Sequence, residues 1–149
     1  MGYGLPAAIG AKVANPDKPV IVFMGDGGFQ MNMQELGTIL QEQLDVKMVV
    51  MNNTWLGMVK QWQELFYDKR YSFTHLENPD FQMVAQAYGI PSLRVTSVEQ
   101  LDEAIEKMLQ TKGPFFLEAC VEGDENIFPM IPAGATIDKI FIDKEFTQL

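Results

Sequence analysis

Asp26 stands between glycines in "MGDGGFQMNMQEL", residues 24 to 36, directly after a run of large apolar residues. A second polar pair, Asn52-Asn53, follows the next such run, "VKMVVM". One carboxylate and one amide oxygen suit a hard divalent cation. Mg²⁺ prefers oxygen ligands in octahedral geometry, takes one or two carboxylates, and leaves its other positions to phosphate oxygens and water. Gly25, Gly27 and Gly28 carry no side chain, so backbone N–H groups there can come close to a phosphate. Taken singly, Asp-Gly and Asn-Asn are common turn and loop pairs. Together, each after an apolar run, they point to an Mg²⁺–diphosphate site. A nucleotide would satisfy the same chemistry, although the chain contains neither G-x-G-x-x-G nor G-x-x-x-x-G-K-[ST].

The elements around these residues must bring them together. "PVIVFM" (19–24) and "VKMVVM" (46–51) are continuous apolar, β-branched runs, the pattern of strands covered on both faces in a parallel sheet. Between them, residues 29–42 place Met33, Leu36, Ile39 and Leu40 on one helical face. This is a βαβ unit. Its strands run the same way, so both polar turns lie at one edge of the sheet, where open α/β sheets bind ligands. The helix starting near Phe29 aims its N-terminus at the same place, which favours anions. Glu35 reads as a helix residue.

The rest of the chain continues the alternation. "GLPAAIGAKVAN" predicts a helix ending near Asn15-Pro16. Residues 56–67 predict a helix with Val59, Trp62 and Phe66 in line. Residues 80–89 predict another, with Asp80 as N-cap and Gly89 as its stop. "SLRVT" is a short strand. Ser97 and Gln100 have capping-box spacing ahead of a helix closing at Gly113. "PFFLEACV" is a last buried strand. The fold class is α/β with a mostly parallel sheet flanked by helices. Residues 1–121 read as one domain and 122–149, rich in Pro and Gly, as a tail that wraps over something. The opening "MGYGLPAAIGAKVANP" has no preceding strand or cap, as expected of a piece of a longer protein.

Composition narrows the function classes. The chain has 149 residues and a net charge of −9, without a Lys/Arg cluster. That argues against nucleic acid or an anionic membrane as partner. No apolar run approaches the roughly 20 residues that span a bilayer. The single cysteine, Cys120, excludes an internal disulfide and fits a reducing, cytoplasmic setting. It reads as a small buried hydrophobe at a strand end. His75, the only histidine, reads as a solvated loop residue.

"GDGG" followed by "NN" resembles the diphosphate-binding motif of thiamine-diphosphate enzymes. "MGYGLPAAIGAK", "NNTWLGMVKQWQELFYDKRYSFTH", "NPDF" and "ENIFPMIPAGATIDK" resemble the large catalytic subunit of acetolactate synthase (acetohydroxyacid synthase), in order and spacing over essentially the whole chain. The resemblance implies a three-layer thiamine-diphosphate-binding fold. It implies Mg²⁺ on the side chains of Asp26 and Asn53 and on the backbone carbonyl of Trp55. Gly25, Gly27, Gly28 and Gly57 would let the chain pass close to the diphosphate. Met1 matches the apolar residue that props the cofactor into a bent shape. Met58 lies in the stretch near the thiazolium, Val59 near the substrate, and Trp62 matches the tryptophan at the substrate entrance, where herbicides bind in this family.

The implied activity is decarboxylation of pyruvate and condensation with a second 2-keto acid, pyruvate or 2-ketobutyrate, toward branched-chain amino acids. The resemblance further implies FAD in a separate middle domain, an activating glutamate from a partner chain, a homo-oligomer (dimer or tetramer) and a small regulatory subunit. No catalytic residue is assigned within this chain, which alone is expected to bind Mg²⁺ and thiamine diphosphate weakly or not at all and to be inactive. Two other readings stay open: another thiamine-diphosphate enzyme, such as a pyruvate oxidase or a 2-keto acid decarboxylase, and a non-catalytic assembly module.

Overall fold

A computed structural model describes residues 1–143. The chain forms two compact units. The first comprises Met1–Thr54 and Leu76–Val121, and the second comprises Trp55–His75 with the described residues from Glu122 onward.

The first unit is a four-stranded parallel sheet in the order β1-β2-β4-β3, with β1 at Val20–Gly25, β2 at Val46–Asn52, β3 at Ser92–Val95 and β4 at Phe115–Cys120. Helices α1 (Gly4–Ala14), α2 (Asp26–Gln30), α3 (Leu36–Gln41) and α5 (Phe81–Ala87) supply one core, in which Leu5, Phe29, Leu36, Ile39 and Phe81 meet Met48, Val50 and Phe116 of the sheet. Phe29 packs edge-on to Phe81 at 5.4 Å and against Phe116 at 5.1 Å. Helix α6 (Leu101–Gln110) covers the opposite face, where Ala104 and Met108 pack with Val49, Val95, Phe115 and Leu117. This is the three-layer α/β arrangement expected.

Several local expectations are corrected. Strand β1 is an edge strand covered on one face only: Phe23 is 71% exposed and Ile21 43%. The residues that line the α6 core come from β2, β3 and β4. The helix expected over 29–42 begins at Asp26 and is broken, with a 3₁₀ turn at Met33–Glu35 between α2 and α3. Asn32 leaves the helical region and donates its side-chain amide to the Gly2 carbonyl, and three glycines in this stretch weaken helix propensity. Leu36 and Ile39 are buried as predicted, but Leu40 is exposed. The capping box is not formed. A 3₁₀ turn at Val98–Gln100 precedes α6, and Gln100 accepts from Thr96 N, not from Ser97. Cys120 is exposed, because it is the last residue of β4 and lies beyond the covered part of the strand. His75 is exposed as expected.

In the second unit, α4 (Gly57–Phe66) follows Trp55, which forms a β-bridge with His75. The buried residues of α4 are Lys60 and Gln61, not the apolar line of Val59, Trp62 and Phe66. Their polar ends are satisfied by the chain after Glu122, which makes burial tolerable. Lys60 Nζ donates to the Gly123 carbonyl and to Asp124. Gln61 pairs with the backbone of Ile127 in both directions, at 2.9 and 2.8 Å. A bridge between Met130 and Phe141 and a 3₁₀ turn at Ile137–Lys139 complete the described part.

Candidate magnesium and diphosphate site

Strand β1 ends at Gly25 and α2 begins at once with Asp26, whose side chain is buried. Strand β2 ends at Asn52, and the register sets Gly25 beside Met51. Both polar turns therefore lie at the carboxyl edge of the parallel sheet. Asp26 joins them directly: Oδ2 accepts from Thr54 N at 2.9 Å, one residue beyond Asn53. Oδ1 accepts from Gly27 N at 2.9 Å. Thr54 holds this turn with φ +60°, a left-handed conformation costly for a β-branched residue. Its hydroxyl donates to the Asn53 carbonyl at 2.7 Å. The chain leaves the unit after Thr54 and returns at Leu76, whose N–H donates to the Thr54 carbonyl at 2.8 Å.

A second layer of polar side chains lies on the α5 face of the same edge. Asn78 Nδ2 donates to Asp26 Oδ2 at 2.6 Å and to Asn52 Oδ1 at 2.8 Å. Gln30 donates to Asn78 Oδ1 at 2.6 Å. Asn52 Nδ2 donates to Glu118 Oε1 at 2.7 Å, and Arg94 donates to Glu118 Oε2 at 2.6 Å. Arg94 also reaches Asp80, the N-cap of α5, at 3.0 Å. The hydrogen bond to Glu118 raises the Arg94 pKa above its ordinary value, with partial burial opposing and the charges of Glu118 and Asp80 adding. Desolvation, then the Glu118 charge, push the Cys120 thiol above its usual range, while Arg94 pulls it down.

These partners fit a hard cation. A carboxylate has about four acceptor positions. Asp26 uses two on Oδ2 and one on Oδ1, which leaves an acceptor position on Oδ1 of a buried carboxylate. Among the described residues, no three His, Cys, Asp or Glu side chains gather to hold a metal. A cation on Asp26 must therefore complete its shell with neutral oxygens and ligand oxygens, as Mg²⁺ does with phosphates. A Cβ built on Gly25 or Gly28 would meet nothing within 4 Å, so the backbone beside Asp26 faces open space.

A family model described as "Thiamine pyrophosphate enzyme, C-terminal TPP binding domain" matches residues 1–119. The chain belongs to this family. Members similar to it include the acetolactate synthase large subunit of Cyanidium caldarium, 51% identical over 90% of this chain and 23% of that protein. The acetolactate synthase isozyme 2 large subunit of Escherichia coli (strain K12) is 48% identical over 91% of this chain and 25% of its own length. This chain thus spans about a quarter of the relatives it matches. Among solved structures, a thiamine diphosphate-dependent 4-hydroxybenzoylformate decarboxylase of Rhodococcus jostii RHA1 superposes with a TM-score of 0.78 at 28% identity, covering 85% of this chain and 24% of that one.

The candidate residues divide between the two units. Met1, Gly25, Asp26, Gly27, Gly28 and Asn53 belong to the first. Met1 is exposed at its start, and the next residue, Gly2, is tied to Asn32. Trp55, Gly57, Met58, Val59 and Trp62 belong to the second. There the Lys60 ammonium lies 4.7 Å from the Trp55 ring centroid, and Trp62 stacks with Phe66 at 4.7 Å. Met58 and Val59 are exposed on α4.

Sequence reasoning missed Thr54, Asn78, Glu118 and Arg94, and singled out Asn52 only as one of the polar pair with Asn53. Glu118 carried a readable signal, a lone acid inside the apolar strand "PFFLEACV". Asn78 carried only the Asn-Pro signature of a turn.

Proposed function

We propose that this chain forms the Mg²⁺–diphosphate-binding part of an acetolactate synthase active site, acting on pyruvate and a second 2-keto acid. The observation that carries the reading is the buried Asp26 carboxylate. It joins two strand ends and keeps an acceptor position on Oδ1, in a chain about half identical to acetolactate synthase large subunits. Asp26 and Asn53 hold Mg²⁺ by side chain and Trp55 by its backbone carbonyl. Gly25, Gly27, Gly28 and Gly57 let the main chain approach the diphosphate. Met1 and Met58 border the thiamine, and Val59 and Trp62 face the substrate. Thiamine diphosphate, when bound, supplies the carbon nucleophile and the electron sink for decarboxylation. This chain's own residues bind and orient the charged end, and the activating glutamate comes from a partner chain. The reading carries with it a cytoplasmic homo-oligomer, FAD bound in a separate middle domain, a tail from 122 onward, and a small regulatory subunit as partner.

Isothermal titration of thiamine diphosphate into the 149-residue chain, with and without Mg²⁺, tests the reading. Binding is expected only with Mg²⁺, and Asp26→Asn is expected to abolish it while leaving the circular dichroism spectrum intact. Mg²⁺-independent binding, or equal binding by the variant, would overturn it.

A further inference from the structure

We infer that Asn78 is a positioning residue that decides which oxygen of Asp26 is presented to the metal. The inference deepens the Mg²⁺–diphosphate reading and rests on it.

Hydrogen-bond polarity fixes the orientation of Asn78. A carboxylate can only accept, so whichever end of Asn78 faces Asp26 must donate. The Asn78 amide nitrogen has two protons, and both are used, one on Asp26 Oδ2 and one on Asn52 Oδ1. A flipped amide would set its oxygen against two acceptors and its nitrogen against the donor Gln30. Asn52 is oriented the same way from its other side, because its Nδ2 donates to Glu118. Glu118 is in turn fixed by Arg94. Asp26 and Glu118 thus stand at the two ends of a pair of amides with only one consistent orientation. Its effect at Asp26 is to saturate Oδ2 together with Thr54 N, while Oδ1 keeps one donor, Gly27 N. The carboxylate cannot rotate to exchange its oxygens without breaking all three bonds. Groups that hold a ligating carboxylate in this way set metal affinity without touching the metal.

The bland alternative makes Asn78 a brace for the loop before α5, with no bearing on the metal. Mg²⁺ affinity and cofactor affinity separate the two. In titrations of the 149-residue chain, Asn78→Ala is expected to raise the Mg²⁺ dissociation constant about 10-fold at saturating thiamine diphosphate. Thiamine diphosphate affinity at saturating Mg²⁺ is expected to stay unchanged. Parallel loss of both affinities would make Asn78 a structural brace and overturn the inference. Unchanged Mg²⁺ affinity would also overturn it, while leaving the binding reading intact. If the wild-type chain shows no Mg²⁺-dependent binding, the underlying reading fails and the inference falls with it.

A second measurement needs no variant. With asparagine side chains labelled with ¹⁵N, both Asn78 amide protons are expected to exchange more slowly than those of free asparagine. They are also expected to shift when Mg²⁺ is added with thiamine diphosphate. Free exchange, or no shift on Mg²⁺ binding, would overturn the inference even if Asn78→Ala failed to fold.

Discussion

Glu118 is 1% exposed in an otherwise apolar strand, yet each of its oxygens has a partner, Asn52 on one and Arg94 on the other. Removing one member of such a pair leaves a buried charge without its counter-ion, which costs far more than the pair is worth. Arg94→Ala is expected to lower unfolding stability by roughly 3 kcal/mol in urea titrations. Adding Glu118→Gln should recover part of that loss, since an amide tolerates burial better than a bare carboxylate. Additive losses in the double variant would show that Glu118 does not depend on Arg94. Asp26 was legible at this scale because glycines and an apolar strand frame it in sequence. Asn78 was not, because its role comes from partners supplied by α2 and β2, and no spacing in the chain encodes that meeting.

Helix α5 is begun by Asp80, whose carboxylate accepts from the N–H groups of Gln82 and Met83 and also from Arg94. The cap therefore ties a local helix start to β3 and, through Arg94, to Glu118. Asp80→Ala is expected to cost about 1 kcal/mol, the usual value of an N-cap. The helix content of the folded chain should hold, since Phe81 and Ala85 bury the helix in the core. A change within experimental error would mean that the cap bonds are replaced by water.

Elements with strong periodicity or strong end signals were legible: α1, the four strands, α4 and α5 stand where the sequence placed them, within a residue or two. The failures share a cause. A broken helix at Asn32 and an unmade capping box at Ser97 both involve a polar side chain that bonds a backbone group outside its own helix, the Gly2 carbonyl 30 residues back for Asn32 and Thr96 N for Gln100. The buried side of α4 was misread because Lys60 and Gln61 meet their partners far along the chain, after Glu122.

At the scale of the molecule, the two faces of the sheet are covered unequally. Val20, Val22 and Met24 of β1 turn toward the large core, whereas Ile21 and Phe23 point to the opposite face. The "PVIVFM" run was apolar at every position, so hydrophobicity alone predicted cover on both sides. Contiguous exposed apolar surface beside an unpaired strand edge favours association. The 149-residue chain is expected to sediment as dimers or larger species, with the proportion rising with concentration. Phe23→Lys replaces an exposed ring with a charge on the edge strand and should leave the core unchanged, because it alters no residue of either buried cluster. The variant is expected to sediment closer to a monomer and to keep its far-ultraviolet circular dichroism. Wild-type chain that stays monomeric at every concentration would show that this face does not drive association. Wild-type and Phe23→Lys chains that associate equally would move the contact away from β1.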